Sequence, residues 1–273
     1  MKITVIGAGN MGGALIKGWA KAFKAGATVN GSDAEITITA HTQQTLDRYS
    51  AEFPQLHCTL DNKAAARDAD LIILAVKPWL LPSIVKEITS SLNLNNQIIV
   101  SVAANVTTPQ LKEMLKDAPG ADSATAVFYA MPNIAAEYGE SMTFIAKGED
   151  ATAEQLETVS SLFSLVGKVK VCEERLIAAG MMMAGCGIAY VMRFIRAMME
   201  GGVEMGFYPK DAQMIAMQTM QGAVSLLDET GLHPEAAIDK VTTPGGVTIK
   251  GLNELDHAGF NSAVIRCLKA GLK

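Results

Sequence analysis

The chain has 273 residues, more than one domain usually needs, so two domains are expected. Apolar side chains make up 49% and charged ones 19%, which allows a large core. The net charge of −5 lacks the basic stripe of a nucleic-acid binder, so no nucleic-acid partner is expected. Lys2 to Ile6 is a short apolar strand that runs directly into Gly7-Ala8-Gly9-Asn10-Met11-Gly12. A helical pattern carrying Leu15, Ile16, Trp19 and Phe23 follows. Strand, G-x-G-x-x-G turn and helix, in that order, form a dinucleotide-binding arrangement. Gly7 permits the tight turn, Gly9 lets the backbone approach a pyrophosphate, and Gly12 lets helix and strand pack closely. The helix N-terminus offers unpaired N–H groups to the anion.

Ile36 to Thr39 reads as the second strand, and Leu71 to Val76 and Gln97 to Val102 as buried parallel strands. Further strands are expected over Ala124–Met131, Met142–Ala146 and Lys168–Val171. Helical stretches fall over Pro82–Leu92, Thr108–Lys116 and Thr152–Leu165. This alternation implies an α/β domain with a doubly wound, Rossmann-type sheet over residues 1–172. From about Glu173 the pattern turns all-helical, with segments at Leu176–Met183, Ile188–Met205, Lys210–Thr230, Pro234–Val241 and Thr248–Leu272. Residues 173–273 are therefore expected to be an all-α domain. Its Met- and Ala-rich faces carry more apolar surface than so small a bundle hides, which points to packing against another subunit. The longest apolar runs have strand length, so no membrane span is expected. The N-terminus reads as a strand entering a glycine loop rather than a signal peptide. Cys58, Cys172, Cys186 and Cys267 form no C-x-x-C pair and suit reduced thiols in the cytoplasm. No two of the four His have ligand spacing, so no metal is expected.

An NAD reader normally carries Asp or Glu at the end of its second strand, to bond the ribose 2′-OH. Here that strand ends Thr39-Ala40-His41-Thr42-Gln43-Gln44, and Asp33 and Glu35 stand at its other end. His41 and Thr42 suit a 2′-phosphate, although Arg48 is about two helical turns on. NADPH is therefore the favoured cofactor, with NADH as the alternative donor; the competing reading is that His41 and Thr42 only begin a solvated helix. Ala75-Val76-Lys77-Pro78, Ser101-Val102-Ala103-Ala104 and Ala130-Met131-Pro132-Asn133 end three successive strands and are expected to share one cleft. Near the C-terminus, Thr243-Pro244-Gly245-Gly246-Val247-Thr248-Ile249 opens a helix with bare backbone N–H groups. It suits a carboxylate, with the Thr248 hydroxyl one turn inside.

These motifs together resemble the pyrroline-5-carboxylate reductases, the enzymes that make proline. The resemblance covers essentially the whole chain. It rests most on Thr243–Ile249 followed by Leu252, Leu255 and Gly259-Phe260, with support from the N-terminal loop, Asn62-Lys63, Ala75–Pro78, Ser101–Thr107 and Met131-Pro132-Asn133. It implies a Rossmann domain and a helical domain that interlocks into homodimers, which assemble further into rings of dimers. It implies cofactor contacts at Asn62 and Ala75–Pro78, and at Ala103 in the neighbouring strand end. A small imino-acid substrate would lie on Gly245, Gly246 and Val247, with Thr248 bonding its ring nitrogen as the catalytic residue. Several positions depart from the family pattern. The usual Ser-Gly-Ser-x-Pro-Ala-Tyr is Ala184-Gly185-Cys186-Gly187-Ile188-Ala189-Tyr190. Tyr129 stands for an Arg, Ile134-Ala135 for Thr-Pro, and Asn105 for a glycine. The alternative these departures leave open is an NADP-binding relative with altered or lost turnover, acting on another small imine or as a sensor.

Overall fold

A computed structural model describes residues 1–121 and 125–272. Its contacts divide the chain into two compact units, 1–185 and 186–273. The first unit runs β1 (Lys2–Ile6), α1 (Asn10–Lys24), β2 (Glu35–Thr39), α2 (Gln43–Glu52), β3 (His57–Thr59), α3 (Asn62–Arg67) and β4 (Leu71–Leu74). It continues with α4 (Leu81–Ile88), β5 (Ile98–Ser101), α5 (Thr108–Met114), β6 (Ala126–Met131), β7 (Ser141–Lys147), α6 (Ala153–Ser164), β8 (Gly167–Val171) and α7 (Ile177–Gly180). Ala124, where the sequence pattern begins the sixth strand, lies outside the described residues, as does Lys273 at the end of the expected second domain.

The eight strands form one sheet in the order β3-β2-β1-β4-β5-β6-β7-β8. All neighbours are parallel except β6 and β7, which run antiparallel. The order reverses between β1 and β4, the switch point at which open α/β sheets bind ligands. The register aligns the strand ends there: Ile6 pairs with both Thr39 and Leu74, and Leu74 with Ser101. β4 and β6 are buried along their whole length, as strands covered on both faces require. β3 and α3, both short, stand where the sequence pattern shows only a connection.

Helix α1 is held by Trp19, fully buried, whose Nε1 donates to the Leu162 carbonyl at 2.9 Å. Its ring meets Phe163 edge-on, with centroids 5.4 Å apart. The burial of α1 against the sheet fixes where its N-terminus, and so the glycine loop, must lie.

The second unit is helical: α8 (Gly187–Glu204), α9 (Pro209–Thr230), α10 (Pro234–Lys240), α11 (Val247–His257) and α12 (Phe260–Ala270). The expected single helix Thr248–Leu272 is two helices. Gly259 sits between them at φ +74°, a left-handed turn that an α-helix cannot contain. Helical backbone is continuous over Glu174–Glu204, and this run is long and apolar enough, by length and composition, to cross a bilayer. The sequence pattern ends one helix at Met183 and begins the next at Ile188. Instead, Met181–Gly185 form a π-helical turn that carries the helical backbone through.

Candidate dinucleotide cleft and C-terminal anion site

Above the switch point lies a cleft of 920 Å³. It is lined from the glycine loop by Gly7, Ala8, Gly9, Asn10 and Met11; from the end of β2 by His41, Thr42 and Thr45; and from α3 by Asn62. Ala75, Val76, Lys77 and Pro78 after β4, Val102 to Ala104 after β5, and Met131 and Ile134 at the end of β6 complete it. Three strand ends do share one cleft, as their sequences suggested.

Gly12 alone of the expected cofactor residues does not line the cleft. It is a packing residue: a Cβ there would stand 1.9 Å from the Gly7 carbonyl oxygen and 3.0 Å from the Ala75 Cβ. Gly7 adopts φ +104°, which favours glycine. A Cβ on Gly9 would meet nothing within 4 Å, so this residue leaves open space rather than filling a packing need. Gly9 caps α1 with no side-chain hydrogen bond, and the first turn of the helix holds no acidic residue. Bare N–H groups, an open cradle and no negative charge fit a pyrophosphate.

At the end of β2, Thr42 is the N-cap of α2. Its Oγ1 accepts from the Thr45 N–H at 3.3 Å and lies 2.9 Å from the Thr45 Oγ1. This helix start also lacks an acidic residue in its first turn. Two hydroxyls and the exposed His41 therefore stand where an NAD reader has its carboxylate. Arg48 stacks on Tyr49, 5.4 Å from the ring centroid, and is not among the cleft residues. Lys77 holds its ammonium over the exposed ring of Trp79, 5.9 Å from the centroid.

The loop after β5 shows how two of the departures fit together. Asn105 has φ +61°, the left-handed region where glycine is the easy choice and Asn the next easiest. Its N–H donates to the Tyr129 Oη at 3.0 Å. Tyr129 is buried, and burial pushes its hydroxyl above the usual tyrosine range. The Asn105 N–H opposes that shift and Glu174 adds to it; Glu174 also accepts from the Thr108 N–H at 2.9 Å and from the Thr108 hydroxyl at the start of α5. Asn133, in the next strand end, is structural. Its Oδ1 accepts from the Ala135 N–H and its Nδ2 donates to the Ala184 carbonyl.

Sequence reasoning missed Thr45, Leu60, Leu80, Ile84 and Glu87 as cleft residues. Thr45 follows from the cap at Thr42 once α2 is assigned. Ile84 and Glu87 lie on α4, Leu80 directly before it, and Leu60 two residues before α3, a short helix with no strong pattern.

In the helical unit, Gly245, Gly246, Val247 and Thr248 sit at the start of α11. Gly245 has φ +70°. The Gly246 N–H donates to the Thr243 carbonyl at 2.9 Å and closes the turn, so it is not free for a ligand as the sequence suggested. Gly246 caps α11 without a side-chain hydrogen bond and no acidic residue follows in the first turn, which leaves the Val247, Thr248 and Ile249 N–H groups bare. Thr248 is the second helical residue, exposed, nearer the helix start than a full turn inside. In the same unit the Tyr190 hydroxyl is perturbed by the Cys267 and Cys186 thiols. Desolvation first, and those thiols second, raise it above its usual range. Cys186 thus keeps a small hydrogen-bonding group where the family has serine.

Two family models match. NADP oxidoreductase coenzyme F420-dependent covers residues 2–105, and pyrroline-5-carboxylate reductase dimerisation covers 174–273. The pyrroline-5-carboxylate reductase of Methanosarcina acetivorans is 35% identical over 270 residues, 97% of this chain and 94% of that one. The chain belongs to the pyrroline-5-carboxylate reductase family. It is also 35% identical to pyrroline-5-carboxylate reductase 1 of Dictyostelium discoideum over 97% of its length, but spans 47%, about half, of that longer relative. Among solved structures, a pyrroline-5-carboxylate reductase from Coxiella burnetii superposes with a TM-score of 0.86 at 27% identity, over 98% of this chain and 95% of that one. For a reductase of this family, the open cradle at Gly9 and the acid-free start of α2 are the features that fit an NADP-type dinucleotide.

Proposed function

We propose that this protein reduces 1-pyrroline-5-carboxylate to L-proline with NADPH, NADH serving as the alternative donor. The observation that carries the reading is a glycine-loop cleft free of acid at both phosphate positions, in a chain that matches a reductase of this name over 97% of its length. Gly7 to Met11 hold the pyrophosphate on the start of α1, and His41, Thr42 and Thr45 receive the 2′-phosphate. Ala75 to Pro78 and Ala103 wall the nicotinamide end. When bound, the nicotinamide supplies the hydride that reduces the imine carbon.

The substrate carboxylate lies on the N–H groups at the start of α11, with Gly245, Gly246 and Val247 shaping the turn. Of these, Gly246 serves through its lack of a side chain, since a Cβ there would meet the Thr243 Oγ1 at 2.6 Å. The Thr248 hydroxyl bonds the ring nitrogen and orients its proton. A hydroxyl is a weak acid, so orientation and the helix-start field supply most of the rate. The domain boundary is set near residue 172, in keeping with a dimerisation match that begins at 174, although the compact unit that holds the sheet runs on to Gly185. The working form is a homodimer of cytoplasmic protein, further arranged as a ring of dimers. Thr248→Ala tests the site: with pyrroline-5-carboxylate and NADPH, kcat falls at least about tenfold while NADPH affinity stays near wild type. Full turnover in that variant contradicts the role of the hydroxyl.

A further inference from the structure

The cleft holds a carboxylate that the chemistry above does not use. Glu87, one residue from the end of α4, lines it together with Asn62, the first residue of α3. Asn62 Nδ2 donates to Glu87 Oε1 at 3.2 Å and Oε2 at 3.3 Å. Among the described residues, no Lys or Arg pairs with Glu87 within 4.0 Å. An uncompensated negative charge in a cleft built for a polyanion repels its ligand unless it faces a part of the ligand that carries no charge.

The chemistry of the pair is directional. An ionised carboxylate only accepts hydrogen bonds, so Asn62 must turn its NH₂ toward Glu87. The other end of the amide, Oδ1, is then the group left for a further partner, and it can only accept. The anion-binding features lie elsewhere: the bare start of α1, and the Thr42 and Thr45 hydroxyls on α2. Leu60, two residues before Asn62, and Ile84, one turn before Glu87, put apolar surface beside the pair, as the flat face of a nucleobase requires.

We infer that Glu87 is a positioning residue that locks the Asn62 amide as an acceptor for a hydroxyl of the adenosine ribose, and keeps the 2′-phosphate on the Thr42 side. This rests on the reading of the cleft as the NADPH site. The resemblance places a cofactor contact at Asn62; the orientation of its amide, and Glu87 as the cause, come from the geometry.

The test is equilibrium fluorescence titration of the full-length protein with NADPH and, separately, NADH. Four variants are compared with wild type: Glu87→Gln, Asn62→Asp, the double variant, and Gly9→Val. Glu87→Gln lets the Asn62 amide rotate, and Asn62→Asp sets two carboxylates side by side; each raises Kd for both nucleotides about tenfold. The double variant rebuilds the bond in the opposite sense: the glutamine amide donates and the aspartate keeps an acceptor oxygen toward the cleft. It recovers Kd to within about threefold of wild type for both nucleotides, which a merely structural loss at either position would not allow. Both side chains sit on accessible helix surface, so the variants fold. Wild-type affinity in Glu87→Gln, or additive losses in the double variant, overturns the inference. Recovery for NADH but not NADPH also overturns it, because it places Asn62 against the 2′-phosphate. Gly9→Val separates the two readings. If it abolishes binding while Glu87→Gln changes nothing, only this inference fails. If it too binds NADPH as wild type does, the cofactor site itself is misplaced.

Discussion

At Asn105 the backbone enters the left-handed region, and the Tyr129 hydroxyl holds it there through the Asn105 N–H. Neither residue follows the family pattern, yet together they secure the loop whose Val102 to Ala104 form part of the cleft wall. Tyr129→Phe removes the acceptor and leaves that N–H to weaker partners. The expected cost is about 1 kcal/mol at neutral pH, read from the denaturant midpoint. The pH dependence has a definite sign. The Tyr129 pKa is raised in the folded state above its ordinary 10.0, so the protonated phenol favours folding. That contribution is whole below pH 10.0 and is lost as pH climbs from there through the folded-state value. As pH rises above 10.0, wild type therefore loses more stability than Tyr129→Phe. Parallel curves contradict the assignment. Residue by residue, the sequence disclosed what the cleft needs from the backbone but not how the side chains pair. The glycine loop, Thr42 and Ala75–Pro78 were legible because their types and spacing are themselves mechanical requirements. The Asn62–Glu87 and Asn105–Tyr129 bonds join residues 25 and 24 apart, and no local pattern marks either.

At the level of elements, β4, β5 and β6 were readable because strands buried on both faces must be apolar throughout. β3 was not. It is three residues at the sheet edge, His-Cys-Thr, none of them buried, and it has no period to read. The split between α11 and α12 was hidden because apolar residues continue across it, with Gly259 as the lone signal. The glycine motif where β1 runs into α1 holds two kinds of glycine. Gly12→Ala forces a Cβ onto the Gly7 carbonyl, so the gain in helix propensity is outweighed and stability falls by about 2 kcal/mol net. Gly9→Val meets open space on extended backbone, so thermal stability stays near wild type while NADPH binding is lost. Thermal melts and NADPH titration of the two variants check this. Equal thermal stability in both, or NADPH binding in Gly9→Val, contradicts the division of labour.

For the whole molecule, the helical unit leaves large apolar side chains exposed on every long helix: Val191 and Met192 on α8, Met214 and Met217 on α9, Val264 and Ile265 on α12. The stripe over Glu174–Glu204 is apolar enough for a bilayer by composition, yet α8 also carries the exposed Arg196–Glu200 ion pair. A dimer interface explains both, with an obligate-sized buried area of at least about 2,000 Å². Light scattering is expected to find no stable monomer at micromolar concentration. Val191→Lys and Met192→Lys, already exposed in the single chain at 47% and 58%, should lower assembly and activity together. A compact, active monomer contradicts this. Isotope transfer follows the hydride from cofactor to product. With NADPH deuterated at the transferable C4 position and pyrroline-5-carboxylate, L-proline is expected to carry one deuterium at C5 by mass spectrometry. Unlabelled proline, or no proline beside turnover of another cyclic imine, would contradict it.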